Sequence, residues 1–278
     1  MTAPGGVESG GGVRLEAERW VPAGKARAHV VFVHGMGEHH RARPYVPFYE
    51  KLAKHGFAVL AFDLRGHGRS EGPRLYARDF ATLERDVARV VALAANEAWG
   101  RPVFLVGGSL GGLLALAVAL APHEALAGVV AGAPALDASG ASPIMRKLLP
   151  ALAAVAPRMR VDPGLDVRGI ARDPAALAAW LDDPLCEIGR ITPGLAAATL
   201  EGIERVMRHA GHLELPMLLL HGLADRIVPP DGTLALHALA GARDKSLVTY
   251  PGAYHHLFLD DVHDAVVRDV LAWLGARA

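Results

Sequence analysis

Three residue types that together perform acyl transfer stand far apart along this chain: a serine, an aspartate and a histidine. The serine is Ser109, within Arg101-Pro-Val-Phe-Leu-Val-Gly-Gly-Ser-Leu-Gly-Gly112, where Gly107 and Gly111 flank it as G-x-S-x-G. A bare Gly-Ser turn would carry no chemistry. Here a β-rich apolar run (Val103 to Val106) precedes the serine and a Leu/Ala run (Leu113 to Ala121) follows it, so the pattern reads as strand, sharp turn and helix. A serine strained between strand and helix leaves no space for flanking β-carbons, which accounts for the glycines. The same turn sets its hydroxyl at the positive end of the helix, where a developing oxyanion is stabilised.

A neutral hydroxyl is a poor nucleophile and needs a base, and the base needs a carboxylate to orient it. After a serine of this kind the partners follow in the order acid, then histidine. Asp225 comes just after the apolar run Pro216-Met-Leu-Leu-Leu-His221, and the pair His255-His256 just after Ser246 to Tyr250. Imidazole suits the base because its unperturbed pKa of about 6.5 lets it take and return a proton near neutrality. A loop or capping role competes for Asp225 taken alone, and Asp231, before a helical stretch, is assigned as a helix cap. Oxyanion donors are expected from the backbone N–H of Leu110 and of Met36, the latter in the glycine-rich loop His34-Gly-Met-Gly37. His34, His39 and His40 match no zinc spacing and have no cysteine nearby in sequence, so no metal is expected.

These side chains need a scaffold that brings separate loops to one rim. Strand patterns at Leu15 to Val21, Ala28 to Val33, Phe57 to Asp63, Val103 to Val106, Leu126 to Ala131, 216–221 and Ser246 to Tyr250 alternate with helical ones at Pro47 to His55, Ala77 to Ala98, Leu113 to Ala121, Asp231 to Ala240 and Val262 to Leu274. That rhythm predicts an α/β fold with a mostly parallel, doubly wound sheet. Between Ala133 and Leu213 strand signals vanish, prolines recur and short Ala/Leu-rich helical pieces appear. We therefore expect an α/β core at 13–133 and 214–278, an inserted helical cap at 134–213, and a flexible Gly-rich tail at 1–12.

Composition narrows the function classes. Formal net charge is zero and no long Lys/Arg run occurs, so no nucleic-acid partner is expected. No signal-peptide pattern or apolar run of spanning length is present, and the single cysteine, Cys186, is compatible with a reducing cytoplasm. A cytoplasmic protein is expected, peripheral to a membrane if the apolar stretch Pro143 to Ala156 turns one face to lipid rather than to the domain below. Oligomeric state is not legible.

Taken together, His34-Gly-Met-Gly-Glu-His39, Asp63-Leu-Arg-Gly-His-Gly-Arg-Ser-Glu-Gly72, Gly107-Gly-Ser-Leu-Gly-Gly112, Asp182-Asp-Pro-Leu185, His221-Gly-Leu-Ala-Asp-Arg-Ile-Val228 and Tyr250-Pro-Gly-Ala-Tyr-His255 resemble the monoacylglycerol lipases and related serine hydrolases of the α/β-hydrolase fold. The resemblance implies Ser109 as nucleophile, Asp225 as acid, His255 rather than His256 as base, Met36 and Leu110 as oxyanion donors, a cap enclosing an acyl chain, and no metal or organic cofactor. It also implies a small lipid ester as substrate, with Glu38 and either Arg41 or Arg43 at a glycerol-like headgroup. Two features depart from such relatives: Gly108 stands where His or Gln is common, and the loop after Glu38 is longer. Related activities are lysophospholipase, broad carboxylesterase and serine aminopeptidase, the last requiring an acid for a free amine from Asp166, Asp173, Asp182 or Asp183. A non-catalytic ligand-binding protein of this fold would usually lack one of the three reactive residues.

Overall fold

The computed structural model describes residues 2–9, 12–121, 125–140, 142–187 and 189–278. Its centre is an eight-stranded sheet ordered β1-β2-β4-β3-β5-β6-β7-β8. The strands are β1 Thr2–Glu8, β2 Arg14–Trp20, β3 Ala28–Val33, β4 Phe57–Phe62, β5 Val103–Gly108, β6 Leu126–Gly132, β7 Met217–Gly222 and β8 Lys245–Tyr250. β1 and β2 run antiparallel to their neighbours, and β4 through β8 with β3 are parallel.

Strands buried on both faces carry near-continuous apolar runs, with successive side chains pointing to opposite layers. In β5, Val103 and Leu105 join the layer packed by helices α2 (Phe80–Ala98) and α3 (Leu110–Ala119), while Phe104 and Val106 join the layer of α1 (Tyr45–Lys54) and α8 (His263–Gly275). β3 divides in the same way, Val31 and Val33 on one face and Val30 and Phe32 on the other.

The expected tail is a correction. Residues 2–8 form the edge strand β1, paired with β2 from Thr2↔Trp20 to Glu8↔Arg14, whereas residues 1, 10 and 11 lie outside those described. Pairing at a sheet edge is made by backbone groups, and an edge tolerates the Pro and Gly that hid this strand in the sequence. Asp231 is a second correction: α7 (Asp231–Leu239) begins at that residue, after Pro230, and no side chain caps it. Asp231 sits in the first turn, where a negative charge still complements the helix dipole.

The span expected as a cap divides in two. α4 (Pro143–Val155) and α5 (Pro174–Leu181) belong to its outer part, but α6 (Pro193–Arg208) packs against both α2 and α3. A β-carbon at Gly202 would overlap the Phe80 ring of α2, a measure of how closely α6 lies on the core. No helix among the described residues is long and apolar enough to cross a membrane.

The strand order reverses at β3, whose neighbours are β4 and β5, and such a switch point opens a crevice at the C-terminal ends of the strands. Register places Val33 beside Gly107, so the loops after β3 and β5 begin side by side. α3 approaches β3 so closely that a β-carbon at Gly111 would overlap the Val33 carbonyl, which is backbone and cannot turn aside. At Gly108 the nearest atom to such a carbon is 3.9 Å away. Gly111→Ala should therefore lower stability by about 3 kcal/mol or more, and Gly108→Ala should change it by less than about 0.5 kcal/mol, measured by urea unfolding.

Candidate active site

Ser109 joins β5 to α3 with φ 53° and ψ −119°, a conformation that costs a non-glycine residue on the order of 1–3 kcal/mol. The strain is held by hydrogen bonds from Ser109 N–H to the Gly132 carbonyl (2.9 Å) and to the Ser109 carbonyl from Leu113 (3.0 Å) and Ala135 (3.0 Å). The side chain stands over the crevice. Its Oγ lies 3.0 Å from His255 Nε2, and His255 Nδ1 lies 2.7 Å from Asp225 Oδ2. The three residues singled out from the sequence thus converge, and His256 turns the other way, placing Nε2 2.7 Å from Glu38 Oε1.

Asp225 is buried, which by itself would raise its pKa. The charge on His255 and hydrogen bonds from His221, His255 and the Val228 backbone N–H overcome this and hold it well below the ordinary carboxylate range. The Ile227 N–H adds a further donor at 2.8 Å. For His255, burial works against the cation, but the Asp225 charge, its hydrogen bond and the charge of Glu38 outweigh it, so the pKa is raised above 6.5. With Nδ1–H donated to the aspartate, the neutral ring presents Nε2 as an acceptor to the serine hydroxyl.

His221 was not singled out as a site residue. Its Nε2 lies 3.1 Å from Asp225 Oδ2 and 2.9 Å from the Val228 carbonyl, while Nδ1 meets Thr233 Oγ1 at 2.8 Å. The i,i+4 spacing of His221 and Asp225 was the available signal. Asp260 was also missed. It accepts from Tyr254 N–H (3.1 Å) and from Arg172 N–H (3.3 Å) and Nε (2.8 Å), bracing the loop that carries His255.

Met36 and Leu110 both line the cavity beside Ser109. The Leu110 N–H, at the first position of α3, has no acceptor within its own helix. Glu38 ties the Met36 loop together: Oε2 accepts from Gly35 N–H (3.0 Å) and the Tyr45 hydroxyl (2.6 Å), and Oε1 from Trp180 Nε1 (3.0 Å) and His256. Burial would raise its pKa, but the His256 charge and the His256 and Tyr45 hydrogen bonds pull it down to about 2. Glu38 lines the cavity with both carboxylate oxygens already taken by protein donors.

Neither arginine expected at a headgroup lines the cavity. Arg41 pairs with Glu18 at 2.5 Å and Arg43 is exposed. The loop is turned outward by anchors distant in sequence, His40 on Asp63 (2.6 Å) and His39 on Asp183 (2.9 Å). None of Asp166, Asp173, Asp182 and Asp183 lines it either; Asp173 caps α5 and Asp166 pairs with Arg168.

The cavity has a volume of about 240 Å³. From Ser109 it extends between apolar side chains of the inserted segment, among them Leu149, Val161, Leu165, Ile191, Leu200 and Ile203. An apolar cavity with a serine and its imidazole partner at one side has the chemistry to enclose an acyl chain and attack its carbonyl.

The family model for serine aminopeptidase, S33, matches residues 24–262. A monoacylglycerol lipase of Mycolicibacterium smegmatis is 35% identical over 266 residues, covering 95% of this chain and 94% of that protein. Human monoglyceride lipase is 34% identical over 276 residues, covering 96% and 88%. Among solved structures, monoacylglycerol lipase of Paleococcus ferrophilus superposes with a TM-score of 0.85 at 32% identity, covering 95% of this chain and 99% of that one.

A base that must be neutral to work loses activity as pH falls through its pKa. With the His255 pKa raised, the acid limb of kcat/KM should centre above pH 6.5. Asp225→Asn removes the anion that raises it, so the limb should move to lower pH while the rate falls on the order of 10⁴-fold. A pH–rate profile of both proteins checks the two effects together.

Proposed function

The chain belongs to the serine aminopeptidase S33 family, is a relative of the monoacylglycerol lipases and is a carboxylic ester hydrolase of the α/β-hydrolase fold, and from that premise we propose that it cleaves monoacylglycerol to fatty acid and glycerol. The observation that carries the reading is the 3.0 Å approach of His255 to Ser109 at the end of an apolar channel. Ser109 Oγ attacks the ester carbonyl as His255 Nε2 takes its proton. The oxyanion is received by the amides of Leu110 and Met36, and Asp225 stabilises the imidazolium. His255 then protonates the departing glycerol oxygen, leaving an acyl-enzyme. Water, deprotonated by the same ring, releases the fatty acid and restores Ser109.

An ester is favoured over an aminoacyl substrate because none of the four acids considered for a free amine faces the channel, and the carboxylates that do line it are engaged within the protein: Glu38 by four donors, Glu187 by Arg74 and Arg160, and Asp137 by the Ser139 N–H. Lysophospholipids and simple carboxylic esters share the acyl chemistry and differ in the leaving group. The outer face of α4 supports transient contact with a lipid surface: Ile144, Leu148 and Val155 are 71%, 50% and 80% exposed.

Side-by-side rates on a medium-chain monoacylglycerol, a lysophospholipid, a short p-nitrophenyl ester and an aminoacyl anilide test the assignment. The monoacylglycerol should give the highest kcat/KM, and Ser109→Ala should lower it on the order of 10⁶-fold with the thermal melt unchanged. A faster anilide would overturn the ester reading. Replacing Ile144 and Leu148 by Ser should slow hydrolysis of monoacylglycerol presented in vesicles and leave the soluble ester unaffected.

A further inference from the structure

Outside the Ser109 machinery, three potential metal ligands of different chemistry meet where the inserted segment touches the core. His39 Nε2, an Asp183 carboxylate oxygen and Cys186 Sγ all lie within 4.8 Å of one another. His39 comes from the loop after β3 and the other two from the turn following α5, so they converge from opposite sides of a seam. We propose that this cluster is a binding site for a borderline-soft divalent cation of the zinc and cobalt kind, clamping the inserted segment to the loop that carries Met36.

The turn is already shaped for two ligands. The Cys186 N–H bonds the Asp183 carbonyl (3.0 Å), which sets the two side chains on one bend, and the Leu185 N–H holds Asp183 Oδ1 (2.9 Å), leaving Oδ2 aimed at His39 (2.9 Å). A tetrahedral centre with bonds of about 2.0–2.3 Å needs ligand atoms about 3.3–3.6 Å apart, so each must move by only about 1 Å. Burial pushes the Cys186 thiol up, and the charges of Glu38, Asp183 and Asp63 push the same way, so a cation has to displace a firmly held proton; the same three carboxylates draw a cation to that position. Imidazole, carboxylate and thiolate together select zinc or cobalt over magnesium or calcium, which prefer oxygen alone. His39 is buried, whereas the Asp183 side chain is 25% exposed, giving an ion a way in and a water a fourth position. The same seam is fastened by the Glu187 N–H to the Gly37 carbonyl (2.7 Å), next to Glu38. A bound ion would reinforce that fastening without touching Ser109.

Binding forms the S–metal bond as the thiol proton leaves to solvent, with no change of oxidation state. The test is a cobalt(II) titration of tag-free protein. A thiolate-to-cobalt charge-transfer band should appear and saturate at one equivalent. Because Cys186 is the only cysteine in the sequence, no other residue can produce that band. Cys186→Ser should abolish it, and in competition with a chromophoric chelator both Cys186→Ser and His39→Asn should weaken zinc binding at least tenfold. Zinc should raise the melting temperature of the parent protein and not that of Cys186→Ser, whose metal-free melt serves as the folding control. No band in the parent protein, or zinc affinity unchanged by Cys186→Ser, would overturn the proposal and leave the cluster as a hydrogen bond beside a half-buried thiol.

Discussion

The site depends on a contact between two backbones, the first turn of α3 against the end of β3. Where Gly111 meets the Val33 carbonyl there is no room for a side chain, and that intimacy brings the loop after β5 alongside the loop after β3. Everything reactive follows from it. The serine is lifted out of the sheet at a strained φ, and the start of α3 comes to lie beside the loop after β3, where Leu110 and Met36 line one cavity. A helix seated an ångström higher would leave the hydroxyl in place relative to its own strand but separate it from the loop after β3.

A second constraint is electrostatic. Burying a carboxylate is costly, and Asp225 is held ionised by donors converging from two directions: the histidine it orients, and the His221 side chain with the Ile227 and Val228 amides of its own loop. The local donors fix the carboxylate in place before the base is considered, so its interaction with His255 does not require reorganisation during the reaction. Glu38 repeats the arrangement on the other side of the cavity, where four protein donors saturate it. A carboxylate this fully engaged acts on the shape of the loop and on the charge felt by His255.

Much of this could be read from the chain because strands buried on both faces leave unbroken apolar runs, and the glycines around Ser109 report a steric demand that is local. Asp225 and the histidine pair were legible from their position just past strand ends. Other features were set by partners far away in sequence. Arg41 and Arg43 point outward because His39 and His40 are anchored on Asp183 and Asp63, and no local pattern encodes those pairings. β1 was invisible because its pairing is made by backbone atoms at an edge. α6 carries an apolar stripe like any amphipathic helix, and only Phe80 and its neighbours in three dimensions reveal that it packs on the core. Trp180 reaches Glu38 across a separation that sequence inspection has no means to bridge.

The loop bearing His255 is stitched to the inserted segment by main-chain bonds, His255 N–H to the Gly169 carbonyl and His256 N–H to the Ile170 carbonyl, with Arg172 and Asp260 riveting the same flank. Swinging that flank open would pull the imidazole off the serine. That flank of the inserted segment and the Ser109–His255 contact are thus tied together, so displacing one undoes the other.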